Sequence, residues 1–119
     1  MTIPFLRRGQ IVLVSLDPAV GSEAARTRPA VVVSNNTANV AALRAEGTIT
    51  VVPVTSSTAR VHDFQVLLPS AVTGLPRDGK AQAEQVRTVS VRRVSAIAGW
   101  VPDETMGAID DALRLHLAL

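Results

Sequence analysis

Glu23, Arg26 and Arg28 lie close together in the stretch GSEAARTRPAVVVSN, where a small polar loop runs into a valine-rich strand. One carboxylate and two guanidinium groups at a strand mouth have two readings. They form a surface ion pair of little energetic weight, or they hold an anion, because guanidinium forks match phosphate and carboxylate oxygens. The loop from Asp17 to Thr27 has 11 residues, more than the few that usually join neighbouring strands. Long loops on rigid sheets commonly carry function. Further on, Thr55-Ser56-Ser57-Thr58 closes a strand with four hydroxyls, which either cap a turn or hold a phosphate. Arg60 follows and favours an anion, and Arg87 comes after another strand-like segment.

Other chemistries find little material. The chain has no GxSxG, no HExxH and no phosphate-cradling glycine loop. With no cysteine there is neither a disulfide framework nor a thiolate metal site. His62, at a predicted strand start, is expected at the surface. His116, among leucines, is expected to be packed or at an interface. Asp110-Asp111 reads as a solvated helix face, and with no other carboxylate or histidine cluster, no metal or other cofactor is expected.

The elements that must position these groups are mainly strands. Apolar residues make up 47% of the 119 and aromatic residues only 3%, so Val, Leu, Ile and Ala must build the core. Val favours pleated, half-buried surfaces. The length suits one domain, residues 1–119. No apolar run reaches bilayer length, and the start MTIPFLRRGQ lacks the order of a secretory signal, so the expected location is the cytoplasm, with no membrane association. Up to Pro102 there are 11 Lys and Arg against 6 Asp and Glu; beyond it, 4 acids face Arg114 alone. A basic body thus carries an acidic terminal segment. All of its cations except Lys80 are arginines.

Alternation predicts strands over Gln10–Leu16, from Pro29 through the apolar run AVVVS, over TITVVPV, over His62–Leu68, over Gly79–Glu84 and over Val94–Trp100. The AVVVS strand, apolar on both sides, is expected to be central and doubly covered. Pro53 is expected at an edge or bulge, and the fourth strand is expected to pair with the third. Helices are predicted over Asn35–Ala45, with capping residues at its start, and over the terminal PDETMGAIDDALRLHLAL. There Met106, Ile109, Leu113 and Leu117 share one face. The fold class is therefore mainly β with a C-terminal helix, a small barrel of about six antiparallel strands.

These motifs, in this order, resemble the MazF/PemK family of toxin endoribonucleases. The matching pieces are Arg8-Gly9, Leu16-Asp17-Pro18, Gly21-Ser22-Glu23, Arg28-Pro29-Ala30-Val31-Val32, Val52-Pro53-Val54-Thr55, Phe64-Gln65-Val66, Ala83-Glu84-Gln85-Val86-Arg87-Thr88 and Ala112-Leu113. The resemblance covers the chain from Arg8 onward. It implies an SH3-like (CcdB/PemK-type) barrel that forms a homodimer and cuts single-stranded RNA without a metal. The products would carry 2′,3′-cyclic phosphate and 5′-hydroxyl ends. A cognate, MazE-like antitoxin with an acidic C-terminal segment would hold the protein inactive. On the same ground Arg28 and Thr55 correspond to the catalytic pair and Glu23 to the loop carboxylate beside them. Ser22, Ser56, Gln85 and Arg87 correspond to RNA contacts, and Ser57 and Arg60 extend that set from the hydroxyl-rich turn. Gln10 stands where members often have an acid, Val12 where many have an aromatic, and His62-Asp63 where a Tyr-Pro pair is frequent. Only Phe5, Phe64 and Trp100 are available to stack on bases.

Two other classes compete. A CcdB-like toxin would poison DNA gyrase through protein contacts and make its dimer face and terminal helix the sensitive surfaces. A non-catalytic nucleic-acid adaptor would use the basic body alone and show steep salt dependence with no product.

Overall fold

The computed structural model describes residues 3–16, 20–21 and 26–119. In chain order the described elements are β1 (Gln10–Ser15), β2 (Thr27–Val32), α1 (Asn36–Ala45), β3 (Thr48–Thr55), β4 (Gln65–Leu68), α2 (Ser70–Thr73), β5 (Gly79–Gln82), β6 (Arg87–Ser90), β7 (Val94–Trp100) and α3 (Asp103–Leu117). Single 3₁₀ turns, Ala83–Gln85 and Val91–Arg93, flank β6. The mainly β architecture with a terminal helix is the one expected, with seven strands rather than about six. All pairings are antiparallel. The strands run β4-β5-β3-β2-β1-β7, with β6 also on β3. Among the described residues no pairing joins β4 to β7, so the ladder is open.

The sheet separates two cores. Val12, Val14, Leu16, Ala30, Val32 and Val51 face one side, where Ala42 of α1 packs. Ile11, Val31, Val52 and Val54 face the other, against Met106 and Ile109 of α3. Successive β2 residues therefore enter opposite cores, as period-two side-chain geometry requires. Ala30, Val31 and Val32 are all fully buried, so β2 is the doubly covered strand its apolar run predicts. It begins at Thr27, two residues before Pro29.

Three expectations are corrected. The fourth strand begins at Gln65, not His62, and pairs with β5 rather than β3. His62 instead stacks on Phe64, with ring centroids 5.1 Å apart, outside the strand. The weak strand at Gly79 ends at Gln82, after which Ala83–Gln85 turns and lets β6 form. Pro53 lies inside the sheet rather than at its edge. Val33 N donates to Thr50 O at 2.9 Å, so hydrogen-bonded positions on the β2–β3 ladder alternate from there, and the Ala30–Pro53 pair is a non-hydrogen-bonded one. The missing N–H of Pro53 thus points to the gap where β3 changes partner, between β6 at Val51 and β5 at Val54.

Both long helices are tied to the sheet by polar contacts. Asn35 caps α1 by accepting from Ala38 N at 2.8 Å. Buried Asn39 donates from Nδ2 to Ser34 O at 2.8 Å. On α3, Met106, Ile109 and Ala112 are buried, whereas Leu117 is exposed, so the apolar stripe ends a turn early. His116 is exposed as well. Asp110 is not simply solvated: it pairs with Arg8, whose Nε donates to Val33 O at 3.0 Å. Asp111, on the exposed side, pairs with Arg114. No helix among the described residues is long and apolar enough to cross a membrane.

Candidate active site

The start of β2 and the end of β3 meet at one rim of the sheet. The β2–β3 pairs are Ala30 with Pro53, Val31 with Val52 and Val32 with Val51. Beyond the Ala30–Pro53 pair, β2 runs back to Arg28 and β3 runs on to Thr55, so the antiparallel strands carry both residues to the same end of the sheet. On its other side Arg28 pairs with Val14 of β1, which is fully buried. Arg28 therefore has a rigid apolar neighbour on its β1 flank.

A cleft of about 310 Å³ opens at this rim, and Arg28, Thr55 and Ser56 line it together with Arg26, Arg77 and Asp78. Arg28 and Thr55 are both half-buried, neither sealed in the core nor on opposite faces. The Thr55 hydroxyl accepts from Ser57 N at 3.3 Å. That contact uses an oxygen lone pair and leaves the hydroxyl proton for another acceptor. Turn capping and anion binding are thus compatible at this residue, not alternatives. Leu16 N donates to Arg26 O at 2.9 Å and closes the base of the long loop. Arg26 itself has φ of 65°, a left-handed conformation that costs a non-glycine residue about 1 kcal/mol or more.

The other sequence candidates are distributed unevenly. Ser57 is exposed beside the cleft, bonded to Thr55 as described. Arg60 is exposed and does not line the cleft; its carbonyl accepts from the buried Lys80 ammonium. Gln85 and Arg87 lie on and after the turn between β5 and β6, also outside the lining. Near them Gln65 bridges two segments, accepting from His62 N at 3.0 Å and donating to Glu84 Oε2 at 2.7 Å. Glu84 Oε1 and Arg87 Nη1 are buried without a hydrogen-bond partner among the described residues. Glu23 and Ser22 lie outside the described residues.

Arg77 and Asp78 are cleft residues that the sequence motifs do not single out. Their one signal is a cation in a Pro/Gly-rich turn, which becomes informative only once the turn is seen to fold against β3. Phe5 and Trp100 stack on each other with centroids 6.4 Å apart. None of the three aromatic residues lines the cleft. Among the described residues no three His, Asp or Glu side chains converge as a metal site. At the surface, the Glu46 carboxylate, through its hydrogen bond and then its charge, raises the pKa of Arg92 above its ordinary value.

Residues 7–117 match the family of PemK-like, MazF-like toxins of type II toxin–antitoxin systems, and the chain belongs to that family. It is 54% identical over 115 residues to the endoribonuclease MazF9 of Mycobacterium tuberculosis, covering 96% of this chain and 98% of that protein. A crystal structure of MazF from Deinococcus radiodurans superposes with a TM-score of 0.82 at 24% identity, covering 98% and 100% of the two chains. An endoribonuclease in complex with its cognate antitoxin, from a mycobacterial species, superposes with a TM-score of 0.72 at 27% identity, covering 96% of each chain. These likenesses do not favour the gyrase-poison reading.

Proposed function

We propose that this endoribonuclease of the MazF/PemK toxin family cleaves single-stranded RNA at the Arg28–Thr55 cleft, by attack of the ribose 2′-hydroxyl and without a metal. The observation that supports this reading is that Arg28 and Thr55, from two different strands, line one cleft. Cyclisation forms a bond from the 2′-oxygen to phosphorus and breaks the bond from phosphorus to the 5′-oxygen. The 2′-hydroxyl loses its proton and the leaving 5′-oxygen gains one. Arg28 donates its paired N–H groups to the non-bridging oxygens, where charge rises toward the phosphorane; stabilisation that grows there raises the rate. Thr55, its oxygen already engaged by Ser57 N, directs its proton at the same phosphate. A guanidinium, which keeps its proton throughout the neutral range, is a poor general base. That role goes to Glu23, supplied by the long loop. Ser22, Ser56, Ser57, Arg60, Gln85 and Arg87 are proposed as contacts along the RNA.

The functional unit is proposed to be a cytoplasmic homodimer, held inactive by an antitoxin with an acidic C-terminal segment that competes for the basic cleft. The test is incubation of the purified protein with a defined RNA in EDTA, followed by mapping of the cut and its end groups. Cleavage with 2′,3′-cyclic phosphate and 5′-hydroxyl ends is expected. Loss of activity on chelation, or 3′-hydroxyl products, would overturn the mechanism.

A further inference from the structure

The loop between α2 and β5 contributes its own cation to the cleft, and it is held stiffly. Leu75 is buried in the α3-side core, and its N–H donates to Thr73 Oγ1 at 3.3 Å. Asp78 Oδ1 accepts from Ser70 N at 2.8 Å, which fastens the far end of the loop to the start of α2. Gly79 lies so close to β3 that a Cβ there would sit 2.7 Å from Val54 Cγ1 and 3.0 Å from Thr55 O. The loop is therefore pinned on both sides of Arg77 and pressed against the residue that carries the proposed catalytic hydroxyl. Arg77 is exposed, lines the cleft, and makes no ion pair or hydrogen bond among the described residues. The carboxylate beside it is already engaged by the Ser70 N–H.

We propose that Arg77 is a second phosphate-binding residue, gripping the phosphodiester next to the scissile one. This rests on the RNA-cleft reading above. Arg28 and Thr55 belong to the β2–β3 wall and Arg77 to the loop wall. A cleft of about 310 Å³ holds more than a single phosphate, falling in the range of about 300–1,000 Å³ that encloses whole small ligands. A strand passing between the two walls meets one cation set at each of two successive phosphates. A guanidinium fork on a pinned loop loses little entropy in binding.

The test measures binding of a short, random-sequence 2′-O-methyl RNA, which cannot cyclise, by fluorescence anisotropy across a salt series. Arg77→Ala is expected to weaken binding about tenfold, the loss of one charged hydrogen bond, and to flatten the logarithmic salt slope by about 0.7, one phosphate contact on a single strand. Arg77→Lys should restore the slope. On a cleavable RNA, a methylphosphonate at one phosphate flanking the cut should impair the wild type and leave Arg77→Ala no worse. An unchanged slope and affinity in Arg77→Ala would overturn the proposal, as would equal sensitivity of both proteins to every flanking methylphosphonate. Wild-type binding that depends on Arg77 but yields no cleavage would sink the nuclease mechanism and leave Arg77 as a phosphate contact in the cleft. Normal cleavage with an unaltered Arg77→Ala would do the reverse, and absence of binding by the wild type would sink both.

Discussion

Arg28 on β2 and Thr55 on β3 are far apart in the chain, yet both line the same cleft, at the end of the sheet where β2 begins and β3 ends. Further along the same strand pair Ala30, Val31, Val51 and Val52 are fully buried, so the core fixes the backbone from which both groups project. Substitutions at the rim should therefore separate activity from folding.

For Arg28→Ala, cleavage of a mapped RNA substrate is expected to fall about 10²–10³-fold, the usual cost of removing one transition-state donor, while Tm stays within a few degrees of wild type. Arg28→Lys keeps the charge but loses the fork and should recover only part of the rate. Wild-type turnover in Arg28→Ala would remove the catalytic assignment.

Thr55 separates hydroxyl chemistry from packing. Thr55→Ser retains both the donor and the acceptor for Ser57 N and is expected to cleave at close to the wild-type rate. Thr55→Val preserves shape, loses both, and should fall by about 10²-fold. Equal single-turnover rates for the two variants would show that the hydroxyl does nothing.

At Gly79 the prediction concerns stability and reach together. A Cβ placed 2.7 Å from Val54 Cγ1 and 3.0 Å from the Thr55 carbonyl must push β5 off β3. Gly79→Ala is expected to lose about 1–3 kcal/mol in urea unfolding and to bind RNA more weakly, since Arg77 and Thr55 move apart. An unfolding midpoint equal to wild type would contradict this packing.

Gln65 and Glu84 join β4 to the turn before β6 through a hydrogen bond of 2.7 Å. Gln65→Leu removes the donor and strands a carboxylate whose other oxygen is already unpartnered, for a loss of about 1–3 kcal/mol. Glu84→Gln keeps an acceptor for the Gln65 amide and should cost less. Denaturant midpoints in the opposite order would show that the bond is not what holds this turn.

Arg8 is bonded to both Val33 O and Asp110, so its loss should exceed that of its partner. The side chains of the pair are about one-third exposed, which keeps the coupling between them to roughly 1 kcal/mol or less. A double-mutant cycle on Arg8→Ala and Asp110→Ala, read by urea unfolding, measures it. Coupling well above that value would show that α3 is clamped to the sheet more tightly than the geometry indicates.

By itself the sequence determined the strand pattern, the doubly buried β2 and the amphipathic α3, because each follows from the local period of apolar side chains. It also marked Arg28 and Thr55 by residue type and motif order, and the Glu23 loop by its length. It misjudged Pro53, because a proline reads as an edge until the sheet shows a strand changing partners beside it. It extended β4 back to His62, because alternation does not distinguish a strand from a stacked His–Phe turn. It missed β6, whose few residues form a strand only once β3 offers them an edge. Tertiary structure alone decided that Arg28 and Thr55 line one cleft, that Arg60, Gln85 and Arg87 fall outside its lining, and that Arg77 enters it. Those placements depend on register and on a glycine's close approach between distant segments, and neither leaves a periodic trace in the chain.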